Sequence, residues 1–374
     1  MKNNMTVIIK IGSSSLVNHD LSINEPMMYE LSKQLKMLLD YSYQPILVSS
    51  GAIAVGRNVL GLSSKPKTLS LKQACAAVGQ AKLMENYNKA FDVYKIKSGQ
   101  VLLSHDDFQS RKRINYLKSC LNTMIENNII PIINENDVVS VDEIKVGDND
   151  TLSSLICPLV DADMLIILSD IDGLYDSNPQ ENKDAKFISE VKNITDEIKM
   201  MAGSSKTSVG TGGMATKIKA AEIASNSGCK TMIMNANKLN KLHEIKDGKN
   251  LGTIFYENKK MPQKTSWLIY DTRSKGAIIV NDNLNNKLSS SKKVSILPIG
   301  VIGVDGEFLA GDVIDVKDVD GKIIAKGITN YGSYEIKKIM SHNSKEIKDI
   351  LGYKDKEQII HADDLVVFKD KENG

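Results

Sequence analysis

Short, almost continuously apolar runs alternate with segments of helical periodicity over the first two thirds of the chain. The apolar runs lie at 6–11, 45–50, 99–104, 129–134, 163–170 and 230–235. The helical patterns lie between them, at 26–40, 68–92, 112–127, 151–161 and 214–226. Strands that are apolar on both faces are typical of parallel sheets covered on both sides by helices. The pattern therefore predicts an α/β fold, an αβα sandwich with a mainly parallel central sheet.

The pattern changes after residue 256. Residues 257–266 are polar, and beyond them come short β-like segments separated by turn signals. The dipeptides Asp305-Gly306 and Asp320-Gly321 favour hairpins. A chain of 374 residues is also long enough for two domains. We therefore predict a first domain at 1–258, a linker at 259–275 and a small β-barrel-like domain at 276–374.

Composition and charge narrow the classes of function. The chain has 48 Lys and Arg against 46 Asp and Glu, so bulk binding to nucleic acid is not favoured. Apolar runs are too short for a transmembrane helix, and the N-terminal stretch lacks the features of a signal peptide. The four cysteines form no zinc-binding pattern and are interpreted as reduced core thiols. We expect a cytoplasmic protein with no membrane partner and no metal held by protein ligands alone.

The segment GTGGMATK, residues 210–217, indicates a phosphate site. It matches one form of the dinucleotide-binding fingerprint but not the P-loop pattern, so a dehydrogenase and a kinase without a P-loop are both candidates. The fingerprint requires a buried strand immediately before the glycines, whereas the preceding residues are polar. This context disfavours the dehydrogenase. Backbone N–H groups of the glycine loop, at the start of a helix, remain suited to an anion.

Two lysines lie beside segments that are rich in glycine or serine. Lys217 lies in the first turn of the predicted helix 214–226, and its side chain can reach back toward an anion at the helix start. Lys10 interrupts the apolar strand VIIKI, where an unpaired ammonium would be costly, and is followed by the small residues GSSS. Each lysine alone has a simpler interpretation, as a solvated surface or strand-edge side chain. Together they favour stabilisation of a transferring phosphoryl group.

Polar residues for a second substrate follow other strands. Ser50 and Gly51 follow the second strand, and Asn134 and Asp137 follow the strand at 129–134. A further group at the start of a helix comprises Asp148, Asn149 and Asp150. Acidic and amide residues before helices also serve as simple caps. Their number beside two lysines favours a substrate that carries both an ammonium and a carboxylate group.

These motifs together resemble the amino acid kinase family, and within it the glutamate 5-kinases that carry a C-terminal PUA domain. The matching segments occur in the family's order: VIIKIGSSSL, VSSGAIAVG, QACAAVGQ, IINENDVV, VGDNDTLSSLI, LSDIDGLYDSNP and GTGGMATKIKAAEIA. They span nearly all of residues 7–256. The later segments SILPIGVIGVDGEFLAGDVI and IAKGITNYGSYEI resemble the PUA domain.

The resemblance implies ATP-dependent phosphorylation of the γ-carboxylate of L-glutamate, the first step of proline biosynthesis, with Mg²⁺ bound to the nucleotide. It implies that Lys10 and Lys217 stabilise the phosphoryl group and that Asp150 holds both lysines. Glutamate would be bound by Ser50, Gly51, Asn134, Asp137, Asp148 and Asn149. ATP would be bound by Lys10, Gly12, Ser169, Asp170, Thr211, Gly212, Gly213, Met214, Ala215, Thr216 and Lys217.

Further expectations follow from the resemblance. They are inhibition by proline, transfer of the product to a glutamyl phosphate reductase, and a homo-oligomer.

An alternative substrate is another acid, such as aspartate or N-acetylglutamate. An RNA-binding protein is a second alternative, because PUA folds occur in RNA-modifying enzymes. Residues 273–374 contain 16 Lys and Arg and 16 Asp and Glu, which disfavours RNA as the main partner.

Overall fold

The computed structural model describes residues 4–139, 149–179, 181–203, 213–258, 274–290 and 293–368. The chain divides into two compact units, Met1–Met261 and Pro262–Gly374. The division falls within the segment 259–275 that was predicted to be a linker. Most of that segment lies outside the described residues, so its role as a linker stays a prediction.

The first unit is built around an eight-stranded sheet, and it confirms the predicted mainly parallel α/β fold. The strand order is β3–β4–β2–β1–β5–β9–β10–β8, and β10 runs antiparallel to β9. The remaining pairs of neighbouring strands are parallel. The strands are β1 (Met5–Ile11), β2 (Tyr43–Ser49), β3 (Lys97–Leu103), β4 (Ile129–Glu135), β5 (Met164–Ser169), β8 (Glu190–Val191), β9 (Lys230–Asn235) and β10 (Thr253–Phe255). A separate two-stranded ribbon pairs β6 (Leu174–Tyr175) with β7 (Phe187–Ile188).

Helices connect these strands and supply the outer layers. They are α1 (Ser13–Leu16), α2 (Glu25–Asp40), α3 (Ala52–Val59), α4 (Leu69–Val93), α5 (His105–Gln109), α6 (Arg111–Glu126), α7 (Asn149–Val160), α8 (Asp196–Gly203) and α9 (Met214–Asn226), with a 3-10 helix at Ala236–Asp247. Side chains fix several helix starts: Asn24 accepts a hydrogen bond from the Met27 N–H, and Thr68 accepts one from the Leu71 N–H. These caps place the starts of the two long helices that cover the sheet.

The buried core explains why the strand sequences are almost continuously apolar. On one side of the sheet, Val7, Ile9 and Ile11 of β1 belong to a buried cluster with leucines of α2 and α4. Ile8, whose side chain alternates to the other face of β1, is also fully buried. Because both faces of β1 are covered, polar residues are excluded from it except where they have a specific partner.

The second unit contains a five-stranded sheet in the order β12–β11–β13–β14–β15. Its strands are β11 (Gly276–Val280), β12 (Val301–Gly306), β13 (Val313–Lys317), β14 (Ile323–Ile328) and β15 (Leu365–Val367). Short helices lie at Asp282–Ser290, Ser333–Ile339 and Ile347–Leu351, with 3-10 turns at Pro298–Gly300 and Ala362–Asp364. The sheet is mixed, since β11 pairs in parallel with β13 and the other pairs are antiparallel.

One of the two predicted hairpins is present in this unit. Asp320-Gly321 joins the antiparallel strands β13 and β14, and Gly321 has a φ of 83°. The hairpin prediction for Asp305-Gly306 is wrong. That dipeptide ends β12, whose partner is the preceding strand β11 and not the following strand β13. A turn dipeptide reverses the chain locally, but strand pairing decides whether the reversal becomes a hairpin.

The cysteines and apolar segments bear on two other predictions. All four cysteines are free; Cys75, Cys157 and Cys229 are buried, but Cys120 is exposed on α6. The interpretation as core thiols is therefore wrong for Cys120. Across the part of the chain that the structure describes, no helix combines the length and apolarity required to cross a membrane.

Candidate active site

The predicted site residues gather at one edge of the central sheet. Parallel strands present their carboxyl ends at the same edge, which is where ligands bind in open α/β sheets. Gly12 follows β1, Ser50 and Gly51 follow β2, Asn134 lies at the end of β4, and Ser169 ends β5. The sheet therefore brings together residues that are up to 157 positions apart in sequence, from Gly12 to Ser169.

The centre of this edge is an acidic side chain between two lysines. The carboxylate Oδ1 of Asp150 lies 2.5 Å from Lys10 Nζ, and its Oδ2 lies 3.1 Å from Lys217 Nζ. Asp150 is fully buried, while Lys10 and Lys217 are only 6% and 5% exposed. The three side chains carry a net charge of +1 in a site with little access to water, which suits a bound anion.

The charges around Asp150 control its protonation. Burial alone would raise the pKa of the Asp150 carboxyl, because it disfavours the charged form. The nearby ammonium groups of Lys10 and Lys217 outweigh burial and lower that pKa below its ordinary value. Asp150 therefore stays ionised at neutral pH, and the ion pairs with both lysines persist.

Two helix starts bring Asp150 and Lys217 together. Asp150 lies in the first turn of α7, and Lys217 lies in the first turn of α9, which Gly213 caps. The hydroxyl of Thr216 lies 2.7 Å from the Gly213 carbonyl oxygen and 3.2 Å from Asp150 Oδ2. Side chains on a helix tilt toward its N-terminus, so Lys217 points back toward α7. The sequence motif therefore places a cation beside the exposed Gly213 at the start of α9, where an anion can bind.

A group of amide side chains lies beside these charges. Asn149 Nδ2 is within hydrogen-bond distance of Ser50 Oγ at 2.7 Å, Asn134 Oδ1 at 2.9 Å and the Ser49 carbonyl oxygen at 3.0 Å. Asn134 Nδ2 donates in turn to Gln80 Oε1 at 2.8 Å. The structure thus joins three predicted residues, Ser50, Asn134 and Asn149. Gln80 was not predicted to belong to the site, although it ends the quoted motif QACAAVGQ.

Glycines allow the helices around this group to approach closely. Gly51, before α3, has a φ of 105°, a backbone conformation that favours glycine. A Cβ on Gly56 of α3 would lie 1.8 Å from the Cys75 carbonyl oxygen, and one on Gly79 of α4 would lie 1.8 Å from the Ala52 carbonyl oxygen. The two helices therefore contact each other through backbone, which fixes Gln80 relative to the start of α3.

The residues predicted for ATP lie on the other side of the lysines. Ser169 Oγ donates to Asp170 Oδ1 at 3.1 Å, and Asn235 Nδ2 lies 3.3 Å from the Asp170 carbonyl oxygen. Gly213 and Ala215 are exposed at the start of α9, and Met214 and Thr216, which follow them in turn, are half-buried. A Cβ on Gly12 would lie 3.7 Å from Lys10 Nζ, which places that backbone beside the cation.

The remaining predicted residues are placed only in part. Asp137 lies two residues beyond β4 and is half-buried at the same end of the sheet. Asp148, Thr211 and Gly212 lie outside the described residues. Among the residues that the structure does describe, no group of three or more His, Cys, Asp or Glu side chains is arranged to hold a metal ion.

Comparison with known proteins agrees with the fold of both units. The amino acid kinase family model matches residues 5–235, and the PUA domain model matches residues 276–351. Carbamate kinase from Giardia lamblia bound to AMP-PNP has the same fold, with a TM-score of 0.50 and 20% identity over 69% of this chain and all of that chain. The chain belongs to the amino acid kinase family and carries a C-terminal PUA domain. This assignment favours the kinase over the dehydrogenase.

Relatives that are similar over nearly their whole length identify the group within this family. The chain is 46% identical to the glutamate 5-kinase of Carboxydothermus hydrogenoformans over 98% of both chains. It is 43% identical to that of Geobacter sulfurreducens over 97% of both chains. It is 39% identical to that of Haemophilus influenzae, over 98% of this chain and 100% of the relative. The chain is therefore an enzyme of the glutamate 5-kinase family.

Proposed function

We propose that this protein transfers the γ-phosphoryl group of ATP to the γ-carboxylate of L-glutamate, in the first step of proline biosynthesis. The products are ADP and L-glutamyl 5-phosphate. The observation that carries the proposal is the buried Lys10–Asp150–Lys217 cluster beside the amide group at Asn134 and Asn149. The similarity to glutamate 5-kinases over nearly the whole chain supports the choice of substrate.

The chemistry requires neither a protein nucleophile nor a general base. A free glutamate side chain has a pKa of about 4.3, so its γ-carboxylate is already ionised and nucleophilic at neutral pH. One of its oxygens attacks the γ-phosphorus of ATP, and the bond to the bridging oxygen breaks to release ADP. The enzyme must bring two anions together in line and neutralise the charge that spreads over the transferred group.

We assign the neutralising role to Lys10 and Lys217. Both ammonium groups are buried and paired with one carboxylate, Asp150, which fixes their separation without cancelling their combined charge. Asp150 is therefore a positioning residue in this mechanism. Low exposure strengthens the interaction of each lysine with the phosphoryl oxygens, because little water is present to screen it.

The two substrates are assigned to opposite sides of the lysines. Glutamate is bound by Ser50, Gly51, Asn134, Asp137 and Asn149, with Asp148 added from the sequence motif. Asp137 supplies the negative charge for the α-ammonium group. ATP is bound by Gly12, Ser169, Asp170 and the segment from Thr211 to Lys217. Exposed backbone N–H groups at the start of α9 are suited to its phosphates.

Magnesium is assigned to the nucleotide and to no set of protein ligands. Mg²⁺ commonly keeps several waters and binds through substrate phosphates and one or two carboxylates. Both carboxylate oxygens of Asp150 are paired with lysines, and the described residues provide no cluster of three acidic or histidine side chains. The ion supplies charge neutralisation when it arrives with ATP.

A coupled assay tests the proposed reaction. ADP release is measured with L-glutamate, L-aspartate and N-acetyl-L-glutamate, and the acyl phosphate is trapped with hydroxylamine as a hydroxamate. We expect both signals with L-glutamate alone, because only that substrate has an α-ammonium group and the matching chain length. ADP release without hydroxamate, or higher kcat/KM with another acid, would contradict the assignment.

Three finer proposals accompany the reaction. L-Proline inhibits by competing with glutamate, since it shares the α-carboxylate and a cationic nitrogen; an inhibition constant that does not depend on glutamate concentration would argue against competition. The acyl phosphate is passed to a glutamyl phosphate reductase, and the enzyme is a homo-oligomer; sedimentation with and without the reductase tests both. We also place the enzyme in the cytoplasm, since free cysteines suit a reducing compartment.

A further inference from the structure

Gln80 is a buried polar residue in the middle of α4. It is 8% exposed, and its neighbours on the helix surface include the buried residues Ala76 and Leu83. Its side-chain oxygen Oε1 accepts a hydrogen bond from Asn134 Nδ2 at 2.8 Å. A helix face that packs against a sheet normally carries apolar side chains. A glutamine at this position therefore requires a reason beyond packing.

Backbone groups fix the direction of the hydrogen bonds between the three amides. The Glu135 N–H donates to Asn134 at 2.9 Å, which identifies the accepting atom as Oδ1 and turns Nδ2 toward Gln80. The Ser49 carbonyl oxygen can only accept, and it lies 3.0 Å from Asn149, which identifies that atom as Nδ2. Asn149 thus donates to Asn134, and Asn134 donates to Gln80. The three side chains form a directed amide chain: Asn149, Asn134 and Gln80.

The two ends of the amide chain carry polar atoms without a partner among the described residues. Among the described residues, no partner is found for Asn149 Oδ1 or for Gln80 Nε2, although both atoms are buried. Glu135 Oε1 is likewise buried without a partner in that part of the structure. Leaving a buried donor or acceptor unpaired is unfavourable. Such atoms are therefore evidence for a bound polar molecule that completes their hydrogen bonds.

We propose that Gln80 is a positioning residue for the amino acid substrate, acting through Asn134 on Asn149. The proposal rests on the proposed glutamate kinase function. Gln80 holds Asn134 Nδ2 away from Asn149 and so reinforces the orientation that the Glu135 N–H favours, in which Asn134 Oδ1 faces Asn149. Asn149 donates through Nδ2 to both Asn134 Oδ1 and the Ser49 carbonyl oxygen, and it presents as an acceptor its Oδ1, which has no partner among the described residues. An acceptor of this kind suits the α-ammonium group of an amino acid.

Substitution of Gln80 separates this role from packing. Gln80→Met keeps the length of the side chain but removes the acceptor for Asn134 Nδ2. The orientations of Asn134 and Asn149 then depend only on the Glu135 N–H, the Ser49 carbonyl oxygen and Ser50, and are held less firmly. We expect KM for glutamate to rise about tenfold or more, while KM for ATP changes less than about twofold. The matched control is Gln73→Met, seven residues earlier on the same helix, which should leave both constants unchanged.

A second variant provides a readout that a purely structural role would not change. In Gln80→Glu the introduced carboxyl accepts from Asn134 in either form, but it adds a buried negative charge only when ionised. Burial raises the pKa of such a carboxyl. We therefore compare the KM for glutamate of Gln80→Glu with that of the parent protein at the same pH. The ratio of the two values should fall toward one as the pH is lowered.

The outcomes distinguish this inference from the proposed function. If the parent protein does not phosphorylate glutamate, the proposed function fails and the inference fails with it. If the parent protein is active and Gln80→Met behaves like Gln73→Met, only the role of Gln80 is refuted. Equal increases in KM for both substrates would also refute it. If Gln80→Met does not fold, a pH-independent KM ratio in Gln80→Glu overturns the inference.

Discussion

Replacing Lys217 with methionine tests the proposed mechanism most directly. The change removes one of two buried cations but keeps an unbranched side chain of similar length. In GTPases, a single arginine aimed at the transferring phosphoryl group contributes about 10³–10⁵-fold to turnover. We expect kcat to fall by about 10³-fold, which corresponds to about 4 kcal/mol of transition-state stabilisation. Binding of glutamate should be nearly unchanged.

The same variant should lose little stability. Lys217→Met leaves the carboxylate of Asp150 paired with Lys10 at 2.5 Å, so the cluster changes from a net charge of +1 to neutral. Asp150→Asn instead leaves two buried ammonium groups without their shared carboxylate. Breaking a buried ion pair by removing one partner costs about 3–5 kcal/mol. The unfolding free energy should therefore fall markedly in Asp150→Asn and by no more than about 1–2 kcal/mol in Lys217→Met.

The assay combines turnover with urea unfolding for each variant. Lys219→Met is the matched control, because Lys219 lies on the same helix but is exposed. It should retain the kcat and the stability of the parent protein. If Lys217→Met keeps kcat within a few-fold of the parent protein, Lys217 does not stabilise the transferring group. If Lys217→Met is as unstable as Asp150→Asn, its loss of activity reflects folding, and the charge argument is wrong.

Two further predictions concern stability. The folded-state pKa of Asp150 is lowered from 3.8, so its ionised form contributes stability that is complete above this value and is lost as pH falls through the folded-state pKa. Urea unfolding below about pH 4 should show this loss in the parent protein and a smaller loss in Asp150→Asn. Gly79→Ala places a Cβ 1.8 Å from the Ala52 carbonyl oxygen and should destabilise the protein by about 3 kcal/mol or more; an unchanged unfolding midpoint would contradict the close packing of α3 and α4.

Sequence patterns predicted the main strands and drew attention to the buried charged residues, because burial restricts both. A parallel strand covered on both faces must be apolar, so β1 and β5 are visible as continuous runs. Lys10 stands out for the same reason, since a charge in such a strand requires a partner. The partner of Lys10 is Asp150, which the sequence motifs place in the first turn of a helix. Lys217 also lies in the first turn of a helix, and both helices begin at the same edge of the sheet.

Other features could not be predicted from local patterns. The bond between Gln80 and Asn134 joins residues 54 positions apart, and a glutamine inside a long helix gives no local signal of its partner. Its spacing from Ala76 and Leu83 places it on the buried face, which is the one clue that the sequence contains. The direction of β10 was also open, because an apolar run specifies burial and not the polarity of the strand.

The first unit should be an active kinase by itself when the chain is cut after Asn258. Its last strand, β10, pairs with both β9 and β8 and buries Phe255 completely. Asn258 still belongs to this unit, since its N–H and side chain donate to Ser225 and Asn226 of α9 at 2.9 Å. The lysine cluster and the described site residues precede this point.

A shorter fragment, ending at Asn250, is the matched contrast. It keeps the same site residues but removes β10, so the edges of β9 and β8 and the cavity left by Phe255 become open to water. We expect the fragment 1–258 to fold cooperatively and to retain most of the kcat of the full chain, and the fragment 1–250 to aggregate or unfold. Circular dichroism, thermal unfolding and ADP release are measured for both. A fragment 1–258 that folds but does not turn over would show that the PUA unit is required to complete the active site, and the assignment of catalysis to the first unit alone would be wrong.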